Sequence, residues 1–196
     1  MANRREFLQL SAATLGIMAV PVKTLAGMNP STTTPFFKVI YDERFEDCLA
    51  FAHESHQLGA VTQGIREDIT DLWYGDLRGQ LAQQPGLIAG LTTASSAFLL
   101  ELLSHDVFHH QVFRGDHQLH DGQLTAYRIE APGYIAKHAS ALQTGGKHWS
   151  TDLAGLLARY DHTQPSYPRT SVTSRAGFAQ ATPDLVSWVI APLKRG

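Results

Sequence analysis

Leu87-Ile88-Ala89-Gly90-Leu91-Thr92-Thr93-Ala94-Ser95-Ser96-Ala97-Phe98-Leu99-Leu100-Glu101-Leu102-Leu103 is the stretch on which the fold turns. Its first five residues form a short apolar run after Pro85-Gly86, which suits a strand buried on both faces. The hydroxyl residues between 92 and 96 can cap a first helical turn, and residues 97–103 are the strongest helix signal in the chain. A parallel strand covered on both faces loses the in-out alternation of a half-exposed one, so an unbroken apolar strand followed by a polar turn and a helix points to an α/β protein.

The same grammar repeats upstream. Residues 36–41 read as a first strand, closed by Asp42-Glu43-Arg44. Phe45, Cys48, Leu49 and Ala52 then follow helical spacing through residues 45–58, and Gly59 marks the stop. Residues 60–62 are a second strand, and residues 68–83 a helical stretch with Asp68 at its N-cap position. Downstream, strands are expected at 110–113, 125–129 and 186–191, with a helix over 150–160 whose Leu153, Leu156, Leu157 and Tyr160 share a face. Residues 161–174, rich in Gln, Pro, Ser and Thr, read as a long surface loop. The expected architecture is a small three-layer α/β domain over 36–196: a mostly parallel sheet, helices on both faces, and additional antiparallel strands toward the C-terminus. Trp73 and Tyr74 are expected at core and rim of the second helix.

The first residues have a different character. Met1-Ala2-Asn3-Arg4-Arg5-Glu6-Phe7-Leu8-Gln9 leads into an apolar run over 8–20 that is too short, and too rich in Ser, Thr, Ala and Gly, to span a bilayer stably. Arg4-Arg5, one variable residue, then Phe7-Leu8 resembles the twin-arginine signal-peptide family. Asn3 and Gln9 depart from the commonest residues at their positions, and Thr24-Leu25-Ala26 supplies a small-residue cleavage end, with Lys23 just before it. The resemblance covers residues 1–26 and implies export in a folded state to the periplasm, cleavage after about Ala26, the twin-arginine machinery as a partner, and cargo that often holds a cofactor or travels with a redox protein that does. Residues 27–35 form a flexible leader with two prolines. No permanent membrane anchor is expected.

Composition narrows the partners. The chain carries 16 Lys and Arg against 18 Asp and Glu, a net charge of −2. Residues 1–26 hold Arg4, Arg5, Lys23 and Glu6, so their removal leaves −4. An acidic surface without a basic cluster does not attract nucleic acid. Cys48 is the single cysteine, which excludes an intrachain disulfide, and its place on a helix face marks it as a small core residue. There is no dinucleotide fingerprint, Gly-x-Ser-x-Gly elbow or calcium loop, and Gly145-Gly146-Lys147-His148 lacks the spacing of a phosphate loop. No cofactor is identified.

In open α/β sheets ligands bind beyond the carboxyl ends of the parallel strands, where loops converge and helix N-termini point their free N–H groups. That rule gathers Asp42, Glu43 and Arg44 after strand one, Arg66 and Asp68 after strand two, Thr92, Thr93, Ser95 and Ser96 after strand three, and Arg114, Asp116 and His117 after strand four. The set suits anion recognition or acid–base work, although each member also has an ordinary role as a helix cap or surface ion pair. His105, His109, His110, His117 and His120 crowd sixteen residues. If the helix continued past Leu103, His105 and His109 would face one ion, with His117, His120 and Asp106, Asp116 or Asp121 completing a metal site; otherwise they form a polar helix end. Two functions therefore stand. One is an exported accessory or ligand-binding protein, such as a soluble small subunit of a redox complex, meeting its partner through exposed aromatics such as Tyr167 and Trp188. The other is a metal-dependent hydrolase using residues 105–120.

Overall fold

The computed structural model describes residues 36–196 apart from 67, 143–145, 162–167, 175–177, 179–182 and 194–196. The export signal expected over 1–26, the leader expected over 27–35, Tyr167 and Gly145 thus lie outside the described residues. A seven-stranded sheet orders its strands β2-β1-β3-β7-β4-β5-β6. The strands are β1 (Lys38–Asp42), β2 (Thr62–Ile65), β3 (Ile88–Thr92), β4 (His109–His120), β5 (Gln123–Pro132), β6 (Arg169–Thr173) and β7 (Leu185–Pro192). β1 pairs in parallel with β2 and β3, and every pairing from β3 through β7, β4 and β5 to β6 is antiparallel. This is the expected α/β arrangement, parallel where the chain begins and antiparallel toward its C-terminus.

Helices cover both faces. On one, α1 (Glu46–Gln57), α5 (Gly133–Ala136) and α6 (Trp149–Leu157) build a core in which Cys48, Phe51, Trp149, Leu153 and Leu157 meet Val39, Ala89, Leu91, Phe113 and Ile129 of the sheet. On the other, α2 (Thr70–Leu72), a π-helical turn (Trp73–Leu77), α3 (Arg78–Gln83) and α4 (Ala94–Ser104) press Ile69, Trp73, Leu77, Leu81, Ala97 and Leu100 onto Ile40, Ile88, Val186, Trp188 and Ile190. Cys48 is fully buried, and burial pushes its thiol up to about 12, which keeps it a protonated packing residue. Thr93 caps α4 as its sequence promised, its hydroxyl accepting from Ser96 N–H at 3.5 Å.

Three features depart from the sequence reading. The stretch over 68–83 is helical but contains the π turn. Its buried residues Ile69, Trp73, Leu77 and Leu81 recur every four positions. Each four-residue step overshoots a 3.6-residue α turn by about 40°, and the wider π turn takes up the accumulated drift. Second, the fourth strand is twelve residues long and joins β5 through a two-residue turn, Asp121-Gly122, with φ of 49° and 70°. Asp-Gly suits the doubly positive φ of a tight hairpin because glycine has no Cβ to clash and aspartate tolerates the left-handed region. Third, the loop expected over 161–174 supplies β6, whose pairing with β5 at Val172 and Ile129 gives its backbone a ladder that polar side chains did not advertise.

Candidate functional site

The carboxyl edge of the sheet assembles from adjacent strands. β1 and β3 run side by side, Tyr41 opposite Leu91, and then diverge: β1 hands the chain to α1 on one face and β3 to α4 on the other. Their end loops part at a crevice, the place where open sheets take ligands. Asp42, at the last position of β1, is fully buried and receives a two-pronged contact from Arg44, Nε to Oδ1 at 2.9 Å and Nη2 to Oδ2 at 2.7 Å. The Arg44 side chain remains 40 % exposed, and its guanidinium lies over Phe45 at 5.6 Å. Thr92, also buried, accepts the Trp188 indole N–H at 3.1 Å and donates to Thr93 O at 3.2 Å. Thr93 and Ser95 hold their hydroxyls 3.2 Å apart at the amino end of α4. Five of the expected residues, Asp42, Arg44, Thr92, Thr93 and Ser95, therefore lie at or just beyond the carboxyl ends of β1 and β3.

Arg66 and Asp68 sit to one side, beyond β2. Arg66 pairs with Glu43 at 3.1 Å on the surface. Asp68 accepts the Thr70 N–H at 2.7 Å and the Thr70 hydroxyl, contacts that hold its carboxyl below the usual range and start the helix.

Arg114, Asp116 and His117 do not follow the fourth strand but lie within it, because β4 extends to His120. Period two then sends them to opposite faces. Arg114 and Asp116 point with Trp188 and Val186 to the α4 side, half buried and paired at 2.9 Å. β5 places Glu130 opposite Arg114 and Arg128 opposite Asp116, so the strands alternate charge along and across the pair. Phe178 lies over the Arg128 guanidinium at 4.6 Å. Sequence reading missed Arg128, Glu130 and Phe178. The signal available was Asp121-Gly122, which sets the hairpin register and hence these pairs.

His117 faces the other core. It is fully buried, with Nε2 2.8 Å from Ser187 Oγ, its ring 4.8 Å from that of Trp149, and Nδ1 without a partner among the described residues. Burial depresses it to about 3, so the ring is neutral. Gly115 makes room: a Cβ there would strike Ser187 Oγ and crowd the His117 ring. The Trp149 indole N–H faces the Asp47 carboxyl without closing a full hydrogen bond; burial raises that carboxyl and the indole opposes it.

The remaining histidines are dispersed. α4 ends at Ser104, and His105 to Val107 form a 3-10 turn, so His105 and His109 do not share a helix face. His109 is buried with Nδ1 2.8 Å from Val107 O and Nε2 3.2 Å from Gly86 O, which ties the strand start to the loop before β3. His117 stands eight positions further along β4, about 26 Å at strand rise, and on the opposite face. His120 is exposed beside Asp121 at 3.5 Å. Among the described residues no group of three or more His, Cys, Asp or Glu is placed to hold a metal ion. Trp188, expected as an exposed docking aromatic, is fully buried because β7 is a central strand; Tyr74 is 64 % exposed and Trp73 buried, as expected. Among the described residues no helix is long and apolar enough to cross a membrane. Compared with known proteins, the chain matches no family model, no curated protein and no solved structure.

Proposed function

We propose that this is an exported periplasmic ligand-binding or accessory protein, delivered by the twin-arginine route and serving as the soluble partner of a redox complex. The observation that carries the reading is that Asp42 and Thr92 end the adjacent parallel strands β1 and β3, with Arg44 held on Asp42 and with Thr93 and Ser95 at the start of α4. Asp42 anchors Arg44 while leaving its side chain partly in solvent, and the first turn of α4, which follows the neighbouring strand end, offers hydroxyls and backbone N–H groups. A positive fork next to a helix amino end suits a small anionic group, a carboxylate or phosphate, presented by a ligand or by a partner. Export rests on the Arg4-Arg5 signal, and the redox partner on the cargo that such signals accompany.

The test is purification, without an affinity tag, from the native envelope, followed by native mass spectrometry. The expected result is a bound small anion or a co-eluting redox protein, lost on Arg44→Met and Thr93→Ala with the fold unchanged by circular dichroism. A protein that emerges alone, and whose variants bind phosphate and carboxylate probes as the wild type does, would sink the reading.

A further inference from the structure

α4 carries more apolar side chains than the fold uses. Its inner face, Ala97 and Leu100, belongs to the core, yet Phe98, Leu99 and Leu102 on the outer face are 60, 39 and 54 % exposed. An amphipathic surface helix keeps its apolar residues on one side, and a helix apolar all round is normally covered. Beyond the end of α4, Phe108 is 67 % exposed and holds φ at 57°, a left-handed conformation that a bulky residue adopts only under constraint. Leu193, 51 % exposed, donates its N–H to Phe108 O at 2.8 Å and extends the same end. These five side chains expose roughly 500 Å² of apolar surface, in the range at which a patch on a lone domain signals an interaction site.

We propose that α4, with Phe108 and Leu193, is the interface through which two copies of this chain pair about a two-fold axis with their α4 helices antiparallel. Two such patches would bury about 1,000 Å² of apolar surface, and the polar rim around them brings the total into the 1,200–2,000 Å² range of a stable interface, roughly. The charges also suit a second copy. The register that sets Leu99 against Leu102 of the partner subunit sets Asp106 against Ser95 of the partner subunit, placing a carboxylate at the free N–H groups of a helix start. No basic residue lies within α4, and its polar side chains do not form the Lys- and Arg-rich face by which helices lie on anionic bilayers. The apolar part of this surface lies outside the β1–β3 crevice, which it meets at Ser95, and the pairing is argued from apolar area and not from the ligand reading.

Sedimentation of the purified protein, from about 100 µM down to about 1 µM, tests the pairing. The expected mass is twice that of the chain, with Leu102→Glu and Phe98→Glu weakening association at least tenfold and melting as the wild type monomer does. Phe108→Gly separates interface from fold: relief of the left-handed strain raises the melting temperature of the monomer while association weakens. A single-chain mass at the highest concentration, or a dimer unaffected by Leu102→Glu, overturns the proposal. So does a single-chain species that floats with phosphatidylglycerol-containing vesicles, which would assign the patch to lipid.

Discussion

His117 shows how far a titratable side chain can be drawn from its usual chemistry. Enclosed by Ser187 and Trp149, it is depressed from an ordinary 6.5 to about 3. Its unfolded form therefore binds the proton first. The stability this residue contributes is complete above pH 6.5 and is lost as the pH falls from 6.5 toward 3, at a rate approaching ~1.4 kcal/mol per pH unit. Urea midpoints across that window should fall more steeply for the wild type than for His117→Gln; parallel profiles would place the acid sensitivity elsewhere. The Asp42–Arg44 pair makes a second, asymmetric expectation. Arg44→Met leaves a buried carboxylate without its counter-charge, holding only the backbone N–H of residue 44 at 3.1 Å, and should cost about 3 kcal/mol, whereas Asp42→Asn with Arg44→Met should recover much of that loss, since the neutral pair needs no compensating charge. Chemical denaturation of the single and double variants decides it. Asp42 and Arg44 were legible as strand-end residues because their place depends on local order alone. The setting of His117 was not, because Ser187 comes from a strand seventy residues away.

Secondary elements tell the same story through periodicity. The four-residue recurrence of Ile69, Trp73, Leu77 and Leu81 is visible in the sequence, and the π turn is its physical consequence. Deleting Gly75 changes the spacing to four, three and four, which a regular α-helix presents on one face. That variant should keep a cooperative melt within a few degrees of the wild type, on the order of 1 kcal/mol. Inserting one alanine after Gly75 should instead turn Leu77 and Leu81 off the core by about 100° and abolish the cooperative transition; two variants that melt alike would remove the re-phasing account. β4 was only partly legible. His109, Gln111, Phe113, Gly115 and His117 are its buried positions, four of the five being residues that rarely signal burial, and a bulge between Gln111 and Phe113 breaks its period of two. β6 was illegible, since four of its five residues are polar and exposed and it exists through its ladder to β5.

For the molecule as a whole, address and assembly are separate questions. Replacing Arg4 and Arg5 with lysine is expected to leave nearly all of the protein in the cytoplasm, scored by fractionation; unchanged delivery to the periplasm would show that the paired arginines are not the address. The pairing through α4, if disrupted by Leu102→Glu, should leave delivery and the crevice residues intact, because Leu102 belongs to neither the signal nor the crevice. The two covered faces of the sheet also divide the chemistry. Arg114 and Asp116 share the α4 side with Arg128 and Glu130, while His117 is shut in with the α6 core, so residues one or two positions apart in the chain serve different surfaces.

The amino-acid order by itself determined the succession of strand and helix from residue 36 to residue 104, the capping of α4, the interior place of Cys48 and Trp73, and the strand-end places of Asp42 and Thr92 with Arg44, Thr93 and Ser95 just beyond them. Those follow from interactions within a turn or from a repeated βα unit, whose signals lie within a few residues of one another. Only the tertiary structure decided that β7 enters between β3 and β4, that Trp188 is buried, that the histidines part company, and that the outer face of α4 is uncovered. Strand insertion joins segments about a hundred residues apart through backbone hydrogen bonds that any side chain permits, and burial is a property of what lands on a residue rather than of the residue itself.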